Sequence, residues 1–297
     1  MSVMTGNLSG TSSEALIFLS DPSLENGTAG LCDLLVLAED NAIQLAMLEK
    51  KSNRFLALEV FHFPESENAH RLKDLLEHSV SKSKLLRSYE FSRARIGLTS
   101  TQYTLVPDAL FKSGDEKKYF HFNFRGQTEM SVLNSSVSAF QLQTVYGVEE
   151  ELLKTIEHLF QEPKIIHHSE AVMNNLNLRL RSYGGKMAWL NVRPTGIDIA
   201  VTDGRKLVLL NSFERNNNED SLYYVLFTYE QLGLDPENTI LNLSGEIEPE
   251  SSMYKLLYTY IRNITFTGRL HLLYFSEVMD EIPGNYFSTL FGLAVCG

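Results

Sequence analysis

Two stretches of this chain, roughly 150 residues apart, carry the same order of apolar runs and turns, and this internal repeat restricts the possible folds more than any other feature. In the later stretch, KMAWLNV, GIDIAV and KLVLLNSF occupy 186–213, separated by the turns Pro194-Thr195-Gly196 and Asp203-Gly204. Alternation at Ile197, Ile199 and Val201 between turn formers reads as the half-buried strands of a meander. A helix follows, with Leu222, Val225, Leu226, Tyr229 and Leu232 at helical spacing, Asn217 or Asn218 as N-cap and Gly233 as C-cap. TILNLSG at 239–245 is the next strand.

The earlier stretch repeats that order. LCDLLVLAED, NAIQLAMLE and RFLALEVFHF form a second meander with turns at Asp40-Asn41 and at Lys50 to Asn53. A helix from about Ser66 to Val80 presents Leu72, Leu75, Leu76 and Val80 on one face, and ARIGLTS is the following strand. Ile43, Leu45, Ala46 and Met47 fall opposite Ile197, Ile199, Ala200 and Val201; Phe61 matches Phe213; Gly97 to Ser100 match Asn242 to Gly245. The offset far exceeds the period of a solenoid, so the pattern is a duplicated α/β domain.

The remainder breaks the symmetry. Residues 1–30 are rich in Ser, Gly, Thr and Asn and read as a loosely held arm, within which Ala15 to Leu19 is able to pair as an edge strand. Residues 101–146 form an insertion: YTLVP and KYFHFNF read as strands, and Arg125 to Tyr146 holds one or two more. Glu149 to Phe160 is a helix, PKIIHH a strand, and Ser169 to about Arg181 a further helix. The Gly184-Gly185 pair marks the best boundary, dividing an arm (1–30), a first domain with its insertion (31–183) and a second domain (184–297). Within the second, Glu250 to Tyr260 is a helix, RLHLLYF (269–275) a strand, and Asn285 to Val295 helical.

Composition excludes several functions. A net charge of −11 disfavours a nucleic-acid or anionic-membrane surface. Two cysteines, Cys32 and Cys296, are too few for a disulfide framework and fit a reducing cytosol. No Lys or Arg precedes Lys50, so the apolar run at 15–19 lacks the basic flank of a signal peptide, and it is too short to span a bilayer. No metal site is expected, since His167 and His168 are adjacent on a predicted strand and would face opposite ways, while His70 and His78 lie two helical turns apart. Nucleophile elbows, phosphate-binding Gly-Lys-Ser/Thr loops and His-Glu-x-x-His are absent from the sequence.

Two meanders, each followed by helix and strand and joined by a helix leaving the first sheet, resemble the actin-like ATPase fold. The sequence is similar to a family of uncharacterised bacterial proteins of that fold, and more distantly to the cytoplasmic actin-like components of type II secretion and type IV pilus machines; the strongest match is YVLFTYEQLGLDPENTILNLSGEIEPES (224–251). The resemblance implies duplicated, ribonuclease H-like domains with mixed sheets and flanking helices, facing across a cleft that holds nucleotide in active members. There, each half offers an Asp-x-Gly hairpin turn to phosphate and metal. This chain has Asp40-Asn41-Ala42 at the first turn, which keeps the acid and loses the glycine, and Pro194-Thr195-Gly196 at the second, which does the reverse. The adenosine-side glycine pair is reduced to Ser244-Gly245, with Glu246 next in line.

Asp40, Gly196, Ser244 and Gly245 are thus the cleft candidates, each set against an ordinary turn role. Asp198 is a further acid, read as a solvated residue on the opposite sheet face. The leading expectation is a cytoplasmic, non-catalytic scaffold that binds a protein partner and no cofactor. The alternative is a nucleotide-binding protein or slow ATPase using ATP with magnesium, and no substrate signature supports a sugar-kinase relative.

Overall fold

The computed structural model describes residues 15–24, 32–63, 72–126, 130–180 and 184–296. The first half contains β1 (Ile17–Ser20), β2 (Cys32–Glu39), β3 (Ala42–Glu49), β4 (Arg54–His62), α1 (Leu72–Lys82), α2 (Lys84–Ser88) and β5 (Arg93–Leu98). Then come β6 (Tyr103–Pro107), α3 (Glu116–Asn123), β7 (Met130–Val137), β8 (Leu142–Glu149), α4 (Glu150–Leu159), β9 (Lys164–His167) and α5 (His168–Arg179). The second half contains β10 (Lys186–Val192), β11 (Gly196–Asp203), β12 (Lys206–Glu214), α6 (Asn218–Gln231), β13 (Leu241–Gly245), α7 (Ser252–Tyr260), β14 (Ile264–Phe266), β15 (Tyr274–Phe275) and α8 (Ser288–Gly292).

The strands form two large sheets of matching topology. One contains the order β4-β3-β2-β5-β9, the other is β12-β11-β10-β13-β14. In each, three strands pair antiparallel through tight turns, and two more add in parallel after helical crossovers. The register slips at Met47/Leu48 in one meander and at Val201/Thr202 in the other, which are equivalent positions in the repeat. A shared bulge of this kind re-aims the strand beyond it, and simple alternation of apolar residues does not reveal it.

Both faces of both sheets are covered, which explains why the inner strands are apolar throughout. On the first sheet, Leu34, Val36 and Ala38 join one core with Leu75, Leu76, Leu152 and Ile156 of α1 and α4, while Leu35 and Leu37 face a second core. On the second sheet, α6 and α7 cover Leu190 and Ile199, and α5 contributes Met173 and Leu176 opposite Trp189 and Ala200. Asn217 caps α6, its side chain accepting from the Asp220 amide.

The second core departs from the sequence reading. Leu270, Leu273, Met279, Phe287, Leu290, Phe291 and Cys296 pack on Leu35, Leu37 and Phe55 of the first sheet, and β15 pairs with β4 there. Position in the chain places residues from about 270 onward in the second domain, yet their apolar side chains cover the open face of the first sheet. Of RLHLLYF only Tyr274 and Phe275 form a strand. The arm is also anchored where it is described: β1 pairs with the edge of β4, and Asp21 accepts from Ser276 Oγ at 2.7 Å. Residues 1–14 and 25–30 of that arm, residue 31, and the start of the helix placed from Ser66 lie outside the described residues.

The insertion between β5 and α4 is a small antiparallel sheet, β6-β8-β7, closed by α3. KYFHFNF, expected as a strand from its period-two aromatics, is helical. Phe120 is fully buried against Gly147, where an added Cβ would sit 2.5 Å from its ring, and Phe124 packs beside it one turn on with its ring tilted, while Phe122 is 80% exposed. Six residues (246–251) separate β13 from α7, so the second half has no comparable insertion. Among the described residues, no helix is long and apolar enough to cross a membrane.

Candidate functional site

The two sheets approach each other where the β2–β3 turn (Glu39, Asp40, Asn41) nears the β10–β11 turn (Arg193 to Gly196). Sheet register builds the floor of this cleft. Asn191, Asp198 and Ser212 are direct cross-strand neighbours on β10, β11 and β12, so their side chains form one row on one face. Asp198, expected to be solvated, is 1% exposed and is the centre of a hydrogen-bond cluster. Its Oδ1 accepts from Ser212 Oγ at 2.7 Å and His168 Nε2 at 2.9 Å; its Oδ2 accepts from Asn191 Nδ2 at 2.9 Å and Arg193 Nε at 3.1 Å.

His168 opens α5, the helix that leaves the first sheet, and the Ser100 amide donates to its Nδ1 at 3.5 Å. That contact leaves the proton on Nε2, facing Asp198. His167 ends β9 and is equally buried, its ring 4.5 Å from that of His168 and 4.5 Å from Tyr103. The two imidazoles therefore sit side by side instead of on opposite faces, because the strand gives way to helix between them.

Charge in the cleft is balanced internally. Burial would raise the Asp198 pKa, but Arg193, then His168 and Asn191, reverse that and hold the carboxyl well below the usual range. Burial lowers the His168 pKa and keeps the ring neutral against the counter-pull of Asp198. Glu39, the last residue of β2, is pushed up to about 8 by burial, partly offset by Arg193. Burial also raises the Glu246 carboxyl, with Arg215 opposing.

The constellation of Ser212, His168 and Asp198 is not a nucleophilic relay. Ser212 Oγ lies 3.2 Å from His168 Nε2, but both groups donate to the same ionised carboxylate oxygen, so Nε2 already carries a proton directed at Asp198 and has no lone pair to accept one from Oγ. All three are also at least nine-tenths buried. Their arrangement serves to fix the second sheet to α5 and to seat Arg193.

The candidates from sequence fare differently. Gly196 does not have a positive φ; its lack of a side chain is needed because a Cβ would lie 2.7 Å from the Phe213 carbonyl oxygen and 2.8 Å from Arg193 Nη2. The approach expected for phosphate is thus filled by a guanidinium of the same turn. Gly245 has φ 81°, and a Cβ there would come within 2.0 Å of the Val192 carbonyl oxygen. Its amide donates to the Asn285 carbonyl at 2.8 Å, and its own carbonyl accepts from Asn285 Nδ2 at 2.9 Å. Ser244 Oγ is bound to Asn191 Oδ1 at 3.0 Å. Asp40 is exposed on the facing turn.

Gly196, Ser244 and Gly245 are therefore brought together, while the acid that reaches the interior from the first sheet is Glu39. Arg193, Glu39 and His168 were missed by sequence reasoning, and Asp198 was set aside. The available signal was a polar residue at matching positions of three adjacent apolar strands. Two cavities in the cleft measure about 20 Å3, beside Glu39, Gln44 and Arg193, and about 30 Å3, beside Asn191, Asp198 and Thr289. Spaces of that size hold one or two waters. Among the described residues, no group of three or more His, Cys, Asp or Glu is placed to hold a metal ion.

The chain belongs to the family described as Protein of unknown function (DUF3822), which matches residues 21–264. No curated protein matches the sequence. A Bacteroides thetaiotaomicron protein with actin-like ATPase fold and unknown function superposes with a TM-score of 0.72 at 19% identity, covering 82% of this chain and 93% of that one. A chain of the PilM–PilN type IV pilus biogenesis complex gives 0.60 at 14% identity, covering 91% and 98%. The cytoplasmic domain of EpsL, an inner-membrane component of the Vibrio cholerae type II secretion system, gives 0.45 at 10% identity, covering 81% and 92%. The protein has the actin-like ATPase fold.

Proposed function

We propose that this DUF3822 chain is a non-catalytic actin-like scaffold that works in the cytosol by binding another protein, with its cleft closed by an internal ion-pair cluster in place of nucleotide. The observation that carries this reading is Arg193: its guanidinium lies against Gly196 and is bound to Asp198. Removing Arg193 from that position would leave Asp198 buried without its cation, a cost of about 3–5 kcal/mol that any phosphate would have to offset. The cavity beside Arg193 and Glu39, where the two turns meet, measures about 20 Å3, far smaller than the roughly 300 Å3 at which small-molecule sites begin.

Two observations support the partner. A chain of this fold occurs in the PilM–PilN complex, an analogy of fold and no more than that. The insertion, which breaks the symmetry of the halves, exposes Phe122 and Leu110 at 80% and 67%. The cytosolic placement rests on Cys32 and Cys296, both buried free thiols whose pKa values burial pushes up to about 11 and about 12.

A thermal-shift titration with magnesium and ATP tests the reading. A ligand at a hundred times its Kd adds about 2.7 kcal/mol to the native state, which at about 2–4 °C per kcal/mol moves the melting midpoint by several degrees. The expected result is no shift at millimolar nucleotide. A magnesium-dependent shift that is lost in Asp40→Ala would replace this reading with that of a nucleotide-binding protein.

A further inference from the structure

The repeat that equates the two sheets also equates their outer strands, β4 and β12, with Ala57 corresponding to Leu209 and Phe61 to Phe213. The two edges are treated differently. On β4, the arm strand β1 pairs antiparallel with Ala57 to Val60, and β15 pairs with Arg54 and Phe55. The carbonyls of Leu56 and Val60 accept from the Asp21 and Leu16 amides at 2.8 Å. On β12, no strand pairs with the outer edge among the described residues. The difference shows at the bulge that both strands share: Leu56 is 7% exposed, whereas Val208, its counterpart, is 46% exposed. The bulge itself does not block an edge, since β4 carries it and still accepts two strands.

Three observations define what would fit. First, the backbone phase is fixed. The Arg215 amide donates inward, to the Thr195 carbonyl at 3.1 Å, so alternation turns the backbone groups of Leu210 and Ser212 outward, as it does those of Leu58 and Val60. Second, β12 is complementary to itself. A strand on a twofold axis places one residue opposite its own copy. Centred on Leu210, antiparallel pairing sets Val208 opposite Ser212 of the second copy and brings the Lys206 end of each strand to the Glu214 end of the other. Lys206 and Glu214 are both exposed, and Arg215 beside Glu214 is turned to the carbonyls of Arg193 and Pro194. Third, an aromatic flank adjoins the edge. Tyr224 of α6 stacks on Phe213 of β12 with ring centroids 4.1 Å apart, and Tyr223 contacts the rings of both Tyr224 and Phe227. Tyr223 and Phe227 are exposed and continue the side of α6 that Tyr224 sets over β12.

We propose that the outer edge of β12 is a self-association surface, on which two copies of this chain pair antiparallel about Leu210 and join their second sheets into one. The twofold places both α6 helices on the same face of the joined sheet, with their aromatic flanks towards each other. Backbone pairing sets the register, and Tyr223 and Phe227 add side-chain area towards the roughly 1,200 Å2 that a stable interface buries. Closure about the twofold leaves no open edge at β12 for a third copy. The inference does not rest on the scaffold reading, which concerns the cleft and the insertion.

Sedimentation equilibrium of the full chain tests this, and a dimer in reversible equilibrium with monomer is expected. Lys206→Glu and Glu214→Lys each bring like charges together at both ends of the strand pair, and each should weaken the dimer about tenfold. An equimolar mixture of the two variants makes both ends complementary again and should recover the affinity as a heterodimer. Val208→Lys, an edge cation at an exposed position, should also weaken association about tenfold or more, with no change of urea midpoint at concentrations where the chain is monomeric. Hydrogen exchange locates the contact: the amides of Leu210 and Ser212 should become protected as concentration rises through the dissociation constant. A chain that stays monomeric up to submillimolar concentration would overturn the proposal. So would a mixture of Lys206→Glu and Glu214→Lys that associates no better than either alone. Amides of Leu210 and Ser212 already protected in the monomer would overturn it as well, by showing that the chain covers this edge itself.

Discussion

The β2–β3 and β10–β11 turns occupy equivalent places in the repeat, yet one ends in acids and the other in a cation. Glu39 and Asp40 stand at the first, Arg193 at the second, and Asp198 lies behind Arg193 on the adjoining strand. Duplicated sheets that face each other with the same charge at both turns would need an outside ion between them. Here Arg193 of the second turn is paired with Asp198 of its own sheet, and burial keeps Glu39 of the first turn protonated up to about 8, so the buried charges of the cleft are matched from within. Backbone topology, down to a shared bulge, has thus been kept in both halves while the side chains at the turns have become complementary.

Four measurements test that comparison. The largest effect should come from Gly245→Ala, because Ser100 stands at the corresponding place in the first half and only the second half brings Val192 against this position. The combination of positive φ and a backbone clash at 2.0 Å should cost roughly 4 kcal/mol or prevent soluble expression. Denaturant unfolding of Gly245→Ala against Ser100→Ala gives the contrast. A loss equal to that in Ser100→Ala would show that the halves do not differ here.

Arg193→Met should cost about 3 kcal/mol by leaving Asp198 buried without its cation. Removing both charges, as Arg193→Met with Asp198→Asn, should recover part of that loss, and a double-mutant cycle measures the coupling. Asp40→Ala, on the exposed facing turn, should stay within about 0.5 kcal/mol. Similar losses from Asp40→Ala and Arg193→Met would mean the charges at the two turns carry equal weight.

Glu39 gives a pH signature of the opposite sign to Asp198. In the folded chain its carboxyl stays protonated up to about 8, against an ordinary value of 4.5. Its contribution to stability is therefore complete below 4.5 and is lost as pH rises towards 8. Asp198, held well below its ordinary range, contributes above that range and loses its contribution as pH falls. Glu39→Gln should remove the alkaline slope and, at pH 7.5, be more stable than the natural chain by on the order of 2 kcal/mol. A pH-stability curve unchanged in Glu39→Gln would show that the carboxyl is solvated when the cleft is closed.

The smallest change in stability is expected at Phe122→Ser in the insertion, within about 0.5 kcal/mol because that ring is 80% exposed. The same substitution should weaken capture of the partner once that protein is in hand, at unchanged melting temperature. A Phe122→Ser chain that melts several degrees lower would show that the ring belongs to the insertion's own fold.

Much of the scaffold was legible in the residues. Alternation at Ile197, Ile199 and Val201, and the match of Phe61 with Phe213, encode the meanders locally, because strand period and turn chemistry act over a few residues. The α3 segment shows the limit: Phe120, Phe122 and Phe124 alternate like a strand, and only the close fit of Phe120 against Gly147 selects the helix. For the cleft, the sequence singles out Gly196, Ser244 and Gly245, and it does not reveal what surrounds them. Gly245 was read as a remnant of nucleotide binding, and its glycine is required by contact with Val192.

By itself, then, the sequence determined the duplicated order of strands and helices, the positions of the turns and the acidic, cysteine-poor surface, since all of these depend on residue type and short spacing. Tertiary structure alone decided that residues from about 270 return to the first sheet, that His168 and Asp198 meet across 30 positions, and that Arg193 fills the cleft. The physical reason is the range of the interactions. A strand's periodicity is a property of its own side chains, whereas the charge state of Glu39 or the cost of moving Arg193 is set by burial among residues far away in the chain, and burial exists only once the two sheets have closed on each other.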